Sequence, residues 1–139
     1  MKRIILTLII ALIMSLSFNT TSFAQDSNTI NQLSQMKFSY EQKQMIHTTG
    51  KGVLYNIIDE FEKTEIINKN RALVDYINIY AEDNPDQLIF VIGLLFDVYY
   101  SICKDENKQF TYNGLILFIN DVIVNHKTML TEIEKSCYR

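Results

Sequence analysis

Few side chains in this sequence could carry out chemistry, and they are scattered along it. Cys103 and Cys137 lie far apart, which matches neither a Cys-x-x-Cys redox motif nor the ligand spacing of a zinc site. His47 and His126 lack a second histidine at ligand spacing, and the sequence contains no nucleophile elbow and no phosphate-binding loop. We therefore predict no catalytic residue, no cofactor site and no metal site.

One acid stands inside the most apolar segment of the chain, Leu88 to Cys103. Asp97 shares a helical face with Gly93 and Ser101, because the three residues recur at a spacing of four. This face predicts either a narrow solvated seam or a hydrogen bond at a helix contact. Asp97 would be catalytic only if the fold brought a distant histidine to it.

Two groups of residues are candidates for contact with a partner protein. Tyr99 and Tyr100 form an adjacent pair, and tyrosine is favoured at recognition surfaces because it combines a large apolar area with a polar tip. Glu82, Asp83 and Asp86 form a small negative patch that would attract a basic partner. The alternatives are simple helix packing for the tyrosines and a solvated turn for the acids.

The first 24 residues have the three parts of an export signal. Lys2 and Arg3 are basic, residues 4–16 form an almost unbroken apolar run, and Ser22 and Ala24 place small residues at the cleavage positions. A membrane anchor would need about 20 apolar residues, and this run is shorter. We predict that a signal peptide, residues 1–24, is removed and that the mature protein lies in the periplasm or outside the cell.

Cleavage would leave a polar N-terminal segment, residues 25–38, and one helical domain, residues 39–139. The loss of Lys2 and Arg3 changes the formal net charge from −3 to −5. Phosphate neutralisation needs clustered Lys and Arg, whereas the basic residues that remain are scattered singly. We therefore expect no nucleic-acid partner and no membrane span after cleavage, and the sequence leaves a homodimer open.

An all-α fold follows from composition and periodicity. The chain has 1 Pro and 4 Gly, and its apolar residues recur at helical spacing. We predict four to five helices in one small domain. The first begins at Ser39, which can form a capping box with Gln42. Within that helix, Gly50 and Gly52 lower the helix propensity and predict either a kink or a close helix contact.

Three further helices are predicted. The second covers about residues 70–81, and the Asn-Pro pair at 84–85 marks the start of the third, because Asn caps a helix and Pro is accepted at its first position. The third helix, residues 88–103, is apolar nearly all round, as expected of a central helix. The last element covers about residues 112–136, although the β-branched residues in 115–124 would also suit a hairpin.

Export makes a disulfide between Cys103 and Cys137 the expected state. Two straight antiparallel helices would instead place these cysteines about 35 Å apart at 1.5 Å per residue, while a disulfide needs Cα atoms within about 7 Å. The predicted bond therefore requires the last helix to break, near Asn125 and His126, and to turn back. The alternative is an intermolecular bond.

These features together favour an exported, non-catalytic module that binds one protein partner. Small, acidic, helical exported proteins without catalytic residues commonly act by occluding another protein. The hypothesis is an immunity or inhibitor protein that neutralises a toxin or enzyme directed at the cell envelope. Two alternatives stay open: an envelope stress or chaperone-like protein, and a small envelope enzyme whose site combines distant residues.

Overall fold

A computed structural model describes residues 34–139 of the chain. The predicted signal peptide, residues 1–24, and residues 25–33 of the polar segment lie outside the described residues. Six α-helices and no strand form in the described part, which confirms the all-α prediction. The predicted number of four to five helices was too low, because a short helix at residues 64–69 was missed and the last predicted helix is two helices. The helices are α1 (Tyr40–Glu60), α2 (Thr64–Lys69), α3 (Arg71–Asp83), α4 (Pro85–Asp105), α5 (Tyr112–Asn125) and α6 (Lys127–Ser136). Residues 115–124 are helical, so the hairpin alternative is wrong.

Helix α1 begins as the sequence predicts. The backbone N–H of Gln42 donates to Ser39 Oγ at 3.1 Å, and the backbone N–H of Ser39 donates to Gln42 Oε1 at 2.8 Å. These two hydrogen bonds form the complete capping box. They fix the direction in which the chain enters the bundle, and Phe38, immediately before the cap, is buried.

Helix α4 begins at the predicted Asn-Pro boundary. Of the two hydrogen bonds that make a capping box, only the one to the Asn84 side chain forms here. The backbone N–H of Gln87 donates to Asn84 Oδ1 at 3.3 Å, and Pro85 occupies the first helical position. The Gln87 side chain turns away and donates to Glu134 Oε2 at 3.2 Å. Tyr76 donates to the same carboxylate oxygen at 2.7 Å, so Glu134 on α6 joins α3 to the start of α4.

The central position of α4 explains its apolar composition. Its core-facing residues come from all sides of the helix, because α1, α3, α5 and α6 all pack against it. The buried members are Gln87, Leu88, Phe90, Val91, Ile92, Gly93, Leu94, Leu95, Val98, Tyr99, Ile102 and Cys103. Among the described helices α4 is long and apolar enough to cross a membrane, with a mean hydropathy of 1.5, but 67% of that stretch is buried inside the bundle.

The glycines of α1 and α4 produce a close helix contact, one of the two predicted outcomes. A Cβ atom on Gly50 would overlap the carbonyl oxygen of Ile89, and one on Gly93 would overlap the carbonyl oxygen of Ile46. A Cβ on Gly93 would also lie 3.0 Å from the backbone nitrogen of Gly50. The two backbones therefore touch without intervening side chains. Gly52 faces open space instead.

The last predicted helix breaks at His126, the place where a break was predicted. His126 has φ −131° and ψ 52°, which is not helical, and its N–H donates to the Val122 carbonyl at 2.9 Å to close α5. Helix α6 then starts at Lys127 and continues toward the start of α4, where Glu134 meets Gln87. The chain changes direction at His126 without folding back on α5.

The predicted disulfide between Cys103 and Cys137 of one chain is wrong, because the chain does not bring the two residues together. Cys103 and Cys137 are both free thiols and are not near each other. Cys103 lies near the end of α4, whereas Cys137 lies beside Asp86 at its start. Residues 86 and 103 are about 25 Å apart along one helix at 1.5 Å per residue. The break at His126 therefore does not bring the cysteines together.

The glycine contact yields a matched pair of substitutions. Gly93→Ala places a methyl group against α1 backbone, which cannot move aside as a side chain can, so we expect a loss of at least about 2 kcal/mol in the free energy of unfolding. Gly52→Ala adds the same methyl group in open space on a helix, so we expect a gain of about 0.5–1 kcal/mol. Urea denaturation followed by circular dichroism measures both. Equal effects of the two substitutions would contradict the close contact.

Candidate functional site

A surface cavity lies at the end of the bundle where α1 and α4 both begin. This cavity, the terminal groove, has a volume of about 310 Å³. The lining combines aromatic, charged and thiol side chains: Tyr40, Lys43, Gln44, His47, Asp86, Phe90 and Cys137. Residues 40–47 come from α1, residues 86 and 90 from α4, and Cys137 follows α6. Three separate parts of the chain therefore build one site.

The last residues of the chain are fastened to this end of the bundle. Lys43 Nζ donates to the carbonyl oxygen of Arg139 at 2.5 Å. Arg139 Nη2 reaches Glu132 Oε2 at 2.6 Å, a contact between a charged pair that is largely shielded from water. The side-chain amide of Asn84 donates to the Tyr138 hydroxyl. These bonds hold the segment after α6 in place as one wall of the terminal groove.

His47 and Asp86 form a polar pair across the terminal groove. His47 Nε2 lies 3.4 Å from Asp86 Oδ1, which is a long contact that joins α1 to the first turn of α4. The side chain of Asp86 is 83% exposed. An acid in the first turn is also favoured by the positive end of the helix dipole. Asp86 therefore offers a negative charge that remains accessible from solvent.

The cysteine of the terminal groove is not set up as a nucleophile. Burial raises the pKa of the Cys137 thiol, Lys43 opposes this rise, and Asp86 adds to it. A reactive cysteine needs a lowered pKa, because the thiolate is the nucleophile. Cys137, His47 and Asp86 share one cavity and supply the residue types of a thiol-based triad. The raised pKa means that this thiol lacks the activation of a cysteine nucleophile.

The structure separates the two predicted partner-binding groups. Glu82, Asp83 and Asp86 are all exposed, and Asp86 lines the terminal groove, while Glu82 and Asp83 end the preceding helix α3. Tyr100 is exposed but stands about 21 Å further along α4, at 1.5 Å per residue. Tyr99 is only 7% exposed. Of the tyrosine pair, only Tyr100 presents its ring to solvent.

Tyr99 belongs to an aromatic cluster at the far end of the bundle. Its hydroxyl packs against Gly114, and burial followed by a hydrogen bond with Cys103 raises the pKa of Tyr99 to about 12. The rings of Phe110 and Phe118 lie 5.8 and 5.3 Å from its ring. Tyr100 stacks on Phe96 at 5.9 Å. The cluster closes the core beneath the α4–α5 loop.

The enzyme alternative would have to combine Asp97, His47 and His126, and these three residues lie in different surroundings. Asp97 is about 16 Å from Asp86 along α4, at 1.5 Å per residue, whereas His47 contacts Asp86 directly. His126 is buried at the α5–α6 break, with Nε2 3.6 Å from Asp121 Oδ2. Within the described part of the chain, no group of three or more His, Cys, Asp or Glu residues could hold a metal ion.

Sequence reasoning missed several residues of the terminal groove. Tyr40, Lys43 and Phe90 were not candidates, because nothing local distinguishes them from ordinary helix residues. The Asn-Pro boundary located the start of α4, and the Ser39 cap located the start of α1. That the two starts share one end of the bundle, next to the chain's last residues, depends on tertiary packing. Comparison with protein-family models, with curated proteins and with solved structures found no match to this chain.

The placement of the cysteines predicts unequal reactivity. Cys137 is partly exposed in the terminal groove, while Cys103 is 2% exposed. We expect iodoacetamide to label Cys137 in the native protein and to label Cys103 at least about 100-fold more slowly, since that reaction requires the structure to open. Mass spectrometry of the two cysteine peptides, without added reductant, measures both rates. If the protein is lighter than its reduced form by the mass of two hydrogens, and if neither thiol is labelled after denaturation, the disulfide is present after all.

Asp97 predicts a pH dependence of stability. Burial raises its pKa to about 6, whereas an unfolded Asp titrates near about 3.9. Between these values the folded state binds more protons than the unfolded state, so the free energy of unfolding falls as pH rises from about 4 to 6. At pH 7, Asp97→Asn should be more stable than the wild type by about 1–2 kcal/mol after allowance for partial exposure.

This effect should shrink as pH falls toward 4, because the folded Asp97 is then protonated and the unfolded one is about half protonated. Urea denaturation of the wild type and Asp97→Asn from pH 4 to pH 7.5 measures the difference directly, because the titration of all other groups cancels between the two proteins. A difference that does not change with pH would show that the carboxyl of Asp97 is not destabilised by burial.

Proposed function

We propose that this protein is an exported, non-catalytic binding module, an immunity or inhibitor protein that neutralises a toxin or enzyme directed at the cell envelope. Its place of action is the periplasm or the cell exterior. The observation that carries the proposal is the terminal groove, a shaped surface at which tyrosines, acids and a cavity lie together. The terminal groove replaces the Tyr99–Tyr100 pair as the main candidate for partner contact.

The exposed tyrosines beside the terminal groove support this proposal. Tyr40 is 76% exposed and Tyr138 is 61% exposed, so both rings stand in solvent next to a concave surface. Burying such a ring contributes strongly to binding, since tyrosine has a large apolar area and loses little conformational entropy. Tyr138 is also held by Asn84, which limits the entropy lost on binding.

The chemistry of the same groove supports binding over catalysis. A thiol with a raised pKa provides less thiolate at neutral pH than an ordinary cysteine, whereas a cysteine nucleophile needs more. The acid whose pKa is raised, Asp97, lies far along α4 from the pair of His47 and Asp86. A binding function requires only a stable, complementary surface. The N-caps of α1 and α4, together with the hydrogen-bonded segment after α6, support a stable surface at this end of the bundle.

The test is a pull-down from an envelope fraction with mature protein as bait, followed by titration of the recovered partner. Tyr40→Ala should weaken binding at least about 30-fold, the effect of losing a residue that contributes 2 kcal/mol or more. Tyr55→Ala is the matched control, because Tyr55 is on the same helix, is 75% exposed, and does not line the terminal groove.

Three outcomes would count against the proposal. Recovery of many unrelated proteins at low occupancy would favour the chaperone-like alternative. Recovery of no protein from any growth condition would contradict a partner-binding role. Equal weakening by Tyr40→Ala and Tyr55→Ala would show that a stoichiometric partner binds elsewhere than at the terminal groove.

A further inference from the structure

The charges around the terminal groove are unevenly distributed. Asp86 lines the cavity, and Glu82 and Asp83 precede it at the end of α3 with both side chains exposed. Lys43 is the cation in the wall, and its ammonium group donates to the carbonyl oxygen of Arg139. Asp86 therefore presents an exposed negative charge in the groove, while the ammonium group of Lys43 is already engaged.

Asp86 has the geometry to accept a further donor. His47 contacts Oδ1 at 3.4 Å, and the Asp86 side chain is 83% exposed. A carboxylate has two oxygens and about four acceptor positions, so this single long contact leaves most of its capacity for an incoming group. A guanidinium group bonds a carboxylate through two parallel N–H donors, which gives both strength and orientation.

The aromatic residues of the same cavity suit the same group. Tyr40 lines the terminal groove with Asp86 and is 76% exposed, whereas Phe90 in the same lining is only 2% exposed, so Tyr40 is the ring that a cation could reach. A cation within about 6 Å of an aromatic ring is attracted by the electrons of the ring face. A guanidinium is planar and weakly hydrated, so it combines a carboxylate contact with an aromatic contact better than an ammonium does. The cavity thus offers both contacts that arginine uses.

We infer that the terminal groove accepts an arginine side chain presented by the protein partner. This inference rests on the proposed function and names the chemistry of its contact. The guanidinium lies against Asp86 and beside Tyr40, and Glu82 and Asp83 attract the basic surface that carries it. The formal charge of −5 after removal of the signal peptide acts in the same direction at long range and raises the association rate at low salt.

Cys137 provides a reporter of occupancy, because it lines the same cavity. The probe is a capped pentapeptide with a central arginine between glycines, and the readout is the rate at which iodoacetamide labels Cys137. Binding of one side chain is expected in the millimolar range, so a concentration of a few times the Kd should slow labelling about threefold or more. The same peptide with citrulline, which has the shape of arginine without its charge, should not slow labelling.

Asp86→Asn should abolish protection by the arginine peptide, and Asp59→Asn should retain it, because Asp59 is an exposed acid of α1 outside the groove. Asp86 also affects the Cys137 thiol itself. Protection is therefore taken as the ratio of labelling rates with and without peptide in each variant. The thermal unfolding midpoint of Asp86→Asn confirms that the variant is folded.

Several results would overturn the inference. These are equal protection by the citrulline peptide, undiminished protection in Asp86→Asn, and no protection by the arginine peptide up to its solubility limit. A partner that loses affinity with Tyr40→Ala but not with Asp86→Asn would refute the arginine contact and leave the proposed function standing. Failure to recover any partner would refute the proposed function, whatever the peptide does.

Discussion

The direct contact between the backbones of α1 and α4 sets the geometry of the whole bundle. Gly50 and Gly93 let the helices approach until carbonyl oxygens occupy the space where Cβ atoms would stand. At this separation the starts of both helices fall at one end, which creates the terminal groove between Tyr40 and Asp86. A wider crossing would open that cavity and weaken the packing of α4, the helix that every other long helix contacts. The terminal groove is thus a consequence of two residues without side chains.

Hydrogen bonds and ion pairs between side chains then hold together the helices that the glycine contact brings close. Glu134 accepts from both Tyr76 and Gln87, so one carboxylate joins α3, α4 and α6. Arg139 and Lys43 secure the segment after α6 against α1. Each bond is of ordinary strength, yet together they place residues of distant sequence position around one cavity. The far end of the bundle is closed differently, by aromatic rings that pack edge to face around Phe110.

Local signals in the sequence located the elements well, because capping and periodicity act within a few residues. Ser39 with Gln42, the Asn-Pro boundary and the break near His126 all stand where they were predicted. Long-range placement could not be read in this way. The cysteine pairing failed because the direction of α6 after the break depends on what it packs against, not on its own residues. For the same reason the exposed Tyr40 and Tyr138 carried no signal. For Tyr99 and Tyr100 the sequence left partner contact and helix packing both open, and Tyr99 packs in the core.

The separation of Cys103 from Cys137 by most of the length of α4 has a consequence for biogenesis. A fold that forms with both thiols reduced needs no oxidant, so no oxidation step delays folding until the chain has left the cytosol. Helical bundles with many local contacts also fold quickly. For a chain exported as we propose, translocation must therefore outpace folding, or the precursor must be held open by a chaperone. The timing of export, and not the chemistry of sulfur, would then govern where this protein first becomes active.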